Sequence, residues 1–221
     1  NRDRLEFHGS SPQAIELDDF VKTDDPWFRP VDQQLGPDGA FYIADFYNRI
    51  IGHYEVPLQH PGRDRERGRR GRVVYKGADG QAKLRPRALP QDLDGLIGEL
   101  ASPNLPRRLL ALDTLLARFG RAAEKALLKA FQRPANALQK VQTMWGLDRL
   151  GALDDARLLA AAKARDALVR THAMRVIAER GRVAARLKVN DVIRHGFTKP
   201  LADAATAALK DSHALVQRCA A

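Results

Sequence analysis

Cysteine is almost absent from this sequence: Cys219 stands alone among 221 residues. That excludes an intrachain disulfide, a paired-cysteine metal site and a CxxCH haem attachment within the chain. Aromatic residues are scarce, at 6%. No apolar run of about 18 residues exists, so nothing reads as a membrane-spanning helix. HExxH, GxGxxG, P-loop and GxSxG patterns are missing, and no catalytic constellation is complete. The chain starts with Asn1, shows no signal peptide and ends in "LVQRCAA" without a helix stop signal. A piece of a longer protein is the expectation.

What is present is unevenly spread. The net charge is +10. Residues 1–60 hold 5 Lys/Arg against 11 Asp/Glu, a net of −6, and residues 61–221 hold 32 against 16, a net of +16. Ten of the fourteen aromatics precede residue 76. Two modules are implied.

The first module has a period of two. "GPDG", Gly36 to Gly39, is a turn in which Pro37 presets φ, Asp38 bonds the backbone and Gly39 accepts φ > 0. It joins "PVDQQL" to the strand-forming "AFYIAD". A loop, "FYNR", leads to a third strand, "IIGHYEV", and "GRVVYKG" supplies a fourth around Arg72 to Lys76. Four short strands joined by tight turns match one blade of a β-propeller. Residues 1–30 read as the tail of a preceding blade plus a connector.

After "RALPQD" the period becomes 3.6. Three units align, ending at Gly120, Gly151 and Gly181, each glycine suited to a helix C′ position. A second helix follows the first two, in "RAAEKALLKAF" and "DDARLLAAAKAR". A fourth unit starts at "KDSHALVQRCAA", after an insertion near "LKVNDVIRHGFTK". Paired helices at such a period predict an α-solenoid. The expected fold class is therefore mixed: about one four-stranded antiparallel blade of a β-propeller over residues 1–77, a linker over 78–91, and HEAT-like helix pairs over 92–221, truncated at the C-terminus.

"FYIADFYNRIIGHYEV" resembles an NHL-type repeat, roughly "YVADxxNxRI". The longer run "DDPWFRPVDQQLGPDGAFYIADFYNRIIGHYEVPLQHPGRDRERGR" resembles the large dehydrogenase-like proteins of planctomycete and verrucomicrobial bacteria. In them a glucose/sorbosone-dehydrogenase-like propeller precedes HEAT-type repeats, and a c-type haem domain often follows. "RRGR" at 69–72 departs from the apolar-aromatic run such a strand would carry. The resemblance implies a periplasmic, extracellular or membrane-associated parent. That parent would oxidise sugars or related alcohols and aldehydes with pyrroloquinoline quinone and calcium, passing electrons to haem c. None of these cofactors is expected within this chain, which alone should be inactive. Its implied partners are the rest of the propeller, the haem domain and a protein on the HEAT surface.

Site candidates follow from the same resemblance. Arg29 and His53 are the candidate catalytic residues, His53 as a base. Asp32, Tyr47, Asn48 and Arg49 are the candidate cofactor-binding residues, arginine pairing with quinone carboxylates. Against this, the favoured reading of Asp45 and Asn48 is that they hold a loop by bonding backbone. His8 and His60 lie in loops, and His172 and His195 on predicted helices, as structural residues. Trp145 falls on an apolar stripe and reads as core. "GRDRERGRRGR" holds six arginines and two acids, a solvated loop or a contact for phosphate, acidic polysaccharide or a neighbouring domain. The alternatives to the enzyme are a non-catalytic interaction module and, less favoured, a nucleic-acid-binding solenoid.

Overall fold

The computed structural model describes residues 2–52, 54–81, 87–187 and 197–221, without the side chains of 183–187. His53, His195 and most of the "LKVNDVIRHGFTK" insertion lie outside the described residues. The chain divides into two compact units, one built mainly from Glu16–Ala88, the other mainly from Leu89–Pro103 and Arg108–Ala221. At the N-terminal end β1 (Arg2–His8) and β2 (Ser11–Leu17) form a two-stranded antiparallel sheet, turning at Gly9 with φ 59.

The first unit is organised by the glycine turn. Gly39 N donates to Gly36 O at 2.9 Å and Gly36 N to Ala40 O at 2.7 Å. Asp38 Oδ1 accepts from Ala40 N at 3.0 Å. Gly39 has φ 85, in the region where a Cβ is strained. The turn joins β3 (Pro30–Leu35) to β4 (Phe41–Asp45), antiparallel as the period-two pattern predicts. Gln33 faces Ile43 and Gln34 faces Tyr42, with an irregularity between Pro30 and Asp32. On the other side of β4 lies β5 (Arg69–Val73), also antiparallel, giving the order β3-β4-β5.

The expected four-stranded propeller blade is overturned: among the described residues the sheet has three strands. None of the described residues of "IIGHYEV" lies in a strand. The Arg63 guanidinium draws its carbonyls inward, bonding Gly52 O and, at 2.6 Å, Val56 O. Carbonyls gathered on one side chain are withdrawn from a strand ladder. The place beside β4 goes instead to the arginine-rich "RRGRV". That run suits it because Arg69 faces Asp45, Gly71 faces Ile43 and Arg72 faces Tyr42.

The second unit is helical: α1 (Leu93–Glu99), α2 (Leu105–Phe119), a 3-10 turn (Gly120–Ala123), α3 (Glu124–Gln132), α4 (Ala137–Arg149), α5 (Asp155–Ala162), α6 (Ala167–Leu187), α7 (Lys199–Ala208) and α8 (Ala214–Ala220). Start signals are explicit. Asp92, Asn136 and Asp154 each accept from the backbone N–H three residues on, satisfying a donor the helix cannot. Gly120 and Gly151 end helices at φ 48 and φ 66, as their spacing predicts. One continuous apolar core includes Leu96, Leu115, Leu127, Met144, Leu158 and Ile177.

The α-solenoid expectation is corrected too: among the described residues no clear solenoid is formed. Gly181 lies inside α6 instead of closing it. A Cβ there would come within 3.3 Å of the Phe197 ring, so the glycine admits a close contact and the third unit overruns its expected end. Ion pairs bind elements of this unit. Arg180, buried in α6, reaches Asp148 of α4 at 2.7 Å and Asp155 of α5 at 3.1 Å. Arg170 clasps both oxygens of Asp211, which holds that carboxyl below its ordinary pKa.

Gly146 of α4 carries a packing constraint. A Cβ there would lie 3.0 Å from Leu112 and 3.2 Å from Leu127, whereas one at Gly98 of α1 would meet nothing within 4 Å. Gly146→Leu is therefore expected to destabilise the unit by about 1–3 kcal/mol, while Gly98→Ala is neutral or stabilises by up to about 1 kcal/mol. Urea unfolding of the two variants checks this, and equal effects would refute the close packing.

Candidate functional site

Asp45 is the last residue of β4, and its buried carboxylate is fully engaged. Oδ1 accepts from Arg29 N at 2.8 Å and from Tyr47 N at 2.9 Å. Oδ2 accepts from Arg69 Nε at 3.1 Å. Arg69 Nη2 also donates to Asp25 at 2.8 Å. The Arg69 guanidinium stacks 3.4 Å from the centre of the Tyr47 ring, which packs on Trp27 at 5.6 Å. The Trp27 N–H, then Arg69, hold the Asp25 carboxyl below the usual carboxylate range. Tyr47 has φ 46, a left-handed conformation costing a side-chain residue roughly 1–2 kcal/mol. The stacked arginine and the bond to Asp45 offset that cost.

Asn48 sits beside this cluster, 1% exposed. Its Nδ2 donates to Asp64 O at 2.5 Å and its Oδ1 accepts from Ile50 N at 3.2 Å, while its own N–H donates to Trp27 O at 3.1 Å. Both ends of the amide are used, so Asn48 ties the 46–50 loop to the 63–67 loop. The latter is braced again by Arg63 on Pro57 O at 3.0 Å and by Arg65 on Leu58 O.

Two cavities flank that loop. One, of about 490 Å³, is lined by Trp27, Arg49 and residues 61–67. The other, of about 500 Å³, shares Arg63, Asp64, Arg65 and Arg67 and adds Phe46, Asn48, Leu58 and Gln59. Their walls carry more arginine than acid, which suits an acidic group and not a cation. Among the described residues, no group of three or more His, Cys, Asp or Glu could hold a metal ion.

The sequence candidates therefore separate. Arg29, Tyr47 and Asn48 come together around Asp45 and its loop: the backbone N–H groups of Arg29 and Tyr47 donate to Asp45, and the Asn48 amide bonds backbone at both ends. Arg29 directs its guanidinium to Phe28 O at 2.8 Å. Arg49 is exposed on the wall of the first cavity. Asp32 lies apart in β3, opposite Ala44, on a small cavity of about 100 Å³. His60 Nδ1 accepts from Gly62 N at 3.0 Å, a local turn bond, and His8 ends β1 instead of lying in a loop.

Sequence reading missed Arg69 and Arg72. Arg72 and Tyr42 both bond Asp38 Oδ2, at 2.8 and 2.9 Å, and Arg72 holds that carboxyl below its ordinary pKa. The available signal was alternation: Arg69, Gly71 and Val73 continue one face of the sheet, and Arg70 and Arg72 the other.

The helical unit holds a second polar cluster. Trp145 Nε1–H donates to His172 Nδ1 at 3.0 Å, with the rings nearly perpendicular. Trp145, expected as core, is thus part-buried with its indole nitrogen committed. Burial, then Arg175 and Arg108, lowers the His172 pKa to about 4, so the imidazole is neutral at pH 7.

Residues 1–77 match the model of DUF7133, a domain of unknown function. The match covers the β3-β4-β5 sheet, the Asp45 cluster and both arginine-walled cavities. No curated protein and no solved structure matches the chain.

Asn48 supplies the test of a loop-holding role. Asn48→Ala is expected to cost about 1–3 kcal/mol by leaving buried groups unpaired, and to speed amide exchange across residues 50 and 62–67. A stability change under about 0.5 kcal/mol, with exchange unaltered, would return Asn48 to the list of open binding residues.

Proposed function

We propose that the first unit is a protein-docking element, and that its edge strand β3 accepts an extended apolar strand from a partner polypeptide. The observation that supports this is an imbalance between core and surface. Between Glu16 and Ala88 the buried apolar residues, among those described, are Ala40 and Ile43. Phe20, Val31, Leu35, Phe46, Ile51 and Leu58 are all exposed. A unit this small, with so little buried, gains stability by covering such side chains. Within β3, Val31 is 67% exposed and Leu35 43%. An uncovered edge carrying apolar side chains is the geometry of β-strand addition, where backbone bonds give affinity and side chains give selectivity.

A second reading concerns the parent. The residues that resemble dehydrogenase-like proteins are those matched by the domain model, 1–77. In that reading the chain is a piece of an oxidoreductase that acts on sugars or related alcohols and aldehydes outside the cytoplasm, and the docked strand comes from the rest of that protein. Quinone, calcium and haem c would belong to it, and the helical unit would be a protein-interaction scaffold.

One experiment separates these readings and exposes both to failure. A photo-crosslinking residue in place of Gln33, exposed in β3 between Val31 and Leu35, in the protein made by its native cells, is expected to give an adduct that peptide mapping places in an extended apolar segment. The Val31→Lys/Leu35→Lys protein should lose the adduct while keeping its stability within about 0.5 kcal/mol. An adduct on a quinone- or haem-bearing neighbour favours the oxidoreductase reading. Adducts scattered over many proteins, or persisting in the lysine variant, would overturn strand addition.

A further inference from the structure

Arg108 of α2 is 8% exposed, and it has no carboxylate partner among the described residues. Its Nη1 donates to Ser102 O at 2.6 Å, while its buried Nε has no hydrogen-bond partner. Buried arginines elsewhere in the unit are treated differently: Arg180 meets two aspartates. A buried guanidinium without a counter-charge is costly, and a buried polar atom without a partner calls for an explanation.

Two further donors stand near it. Arg108 and Arg175 both act on the charge of His172. Because Nδ1 of His172 accepts from Trp145, the neutral ring carries its proton on Nε2, which makes that atom a donor. Arg175 is exposed, lies 5.9 Å from the centre of the Trp145 ring, and forms no ion pair among the described residues. Three helices, α2, α4 and α6, thus bring together Arg108, Trp145, His172 and Arg175. The cluster is rich in donors, and among the described residues no carboxylate is bonded to it.

We infer that this cluster is an oxyanion-binding site, taking a carboxylate or phosphate group. Arg175 and the Nε2–H of His172 would bond the oxygens, and Arg108 would supply a fixed positive charge from beneath. Trp145 holds the imidazole in the required tautomer, making it a positioning residue. The site lies in the helical unit and is independent of the strand-docking proposal.

The test uses the whole chain at pH 7, carrying Trp27→Phe so that Trp145 is the sole tryptophan, excited selectively over tyrosine. Sodium phosphate and sodium succinate are titrated in turn at constant ionic strength against sodium chloride. His172 is followed by NMR, its resonance assigned through His172→Gln. A saturable change with phosphate or succinate, absent with chloride, is expected, and the stronger of the two identifies the source of the oxyanion. Binding should also raise the His172 pKa from about 4, since a nearby anion favours the imidazolium.

Arg175→Gln, at an exposed position, should weaken binding about tenfold, the loss of one charge-assisted bond. Arg149→Gln, whose arginine is exposed and pairs with Asp113, should leave binding unchanged. Arg108→Met should abolish the saturable change where circular dichroism shows it folded. No response to either anion up to about 50 mM, weaker than any specific site of this kind, would overturn the proposal. So would equal responses in the wild-type and Arg175→Gln proteins.

Discussion

The buried carboxylate of Asp45 is the interaction on which the first unit depends. It closes β4, accepts two backbone N–H groups of the adjoining segments and anchors the Arg69 that opens β5. A carboxylate with three donors has little capacity left for a ligand. The consequence reaches beyond one residue. Tyr47 keeps its left-handed backbone because Asp45 and Arg69 grip it from two sides, and Asn48 then fixes the 63–67 loop. Residues that a sequence reader would assign to a pocket are the frame of that loop. The surface left for recognition is the apolar side of the sheet and the arginines facing the two cavities.

The helical unit obeys the same rule of satisfied polar groups, and its exception is informative. Its caps are made by Asp92, Asn136 and Asp154. Arg170 and Arg180 are matched by aspartates. Gln139 uses both ends of its amide, on Ala135 N and Ile97 O. Arg108 breaks this pattern, and its charge acts on a histidine whose Nδ1 is taken by Trp145. Where most buried polar atoms are paired, one that is not directs attention to a missing partner.

Much of this was legible in the sequence, for physical reasons. The "GPDG" turn and its flanking strands are local events, decided by Pro37, Asp38, Gly39 and a period-two pattern, and they stand as expected. Gly120 and Gly151 are likewise local, because a helix end needs φ > 0. What failed was long-range. "IIGHYEV" has strand propensity, but Arg63, seven to eleven residues away, takes its carbonyls. "RRGRV" looks too charged for a sheet until Asp45 and Tyr42 are placed opposite it. Gly181 has the spacing of a helix end, yet α6 continues through it, with Phe197 against the space a side chain would fill. A propeller blade and a solenoid were inferred by extending local patterns into repeats, and long-range contacts of single side chains broke both. Of the site candidates, Arg29, Tyr47 and Asn48 are brought together around Asp45, a juxtaposition that spacing alone did not show.

The central claim is that Asp45 and Arg69 form a cooperative structural pair. A double-mutant cycle with Asp45→Asn and Arg69→Met, read by urea unfolding, measures it directly. The structure predicts clearly non-additive effects, because the two side chains share one hydrogen-bonded network. Additive effects within about 0.3 kcal/mol would contradict it, and would free Asp45, Tyr47 and Arg69 to be read again as parts of an open site.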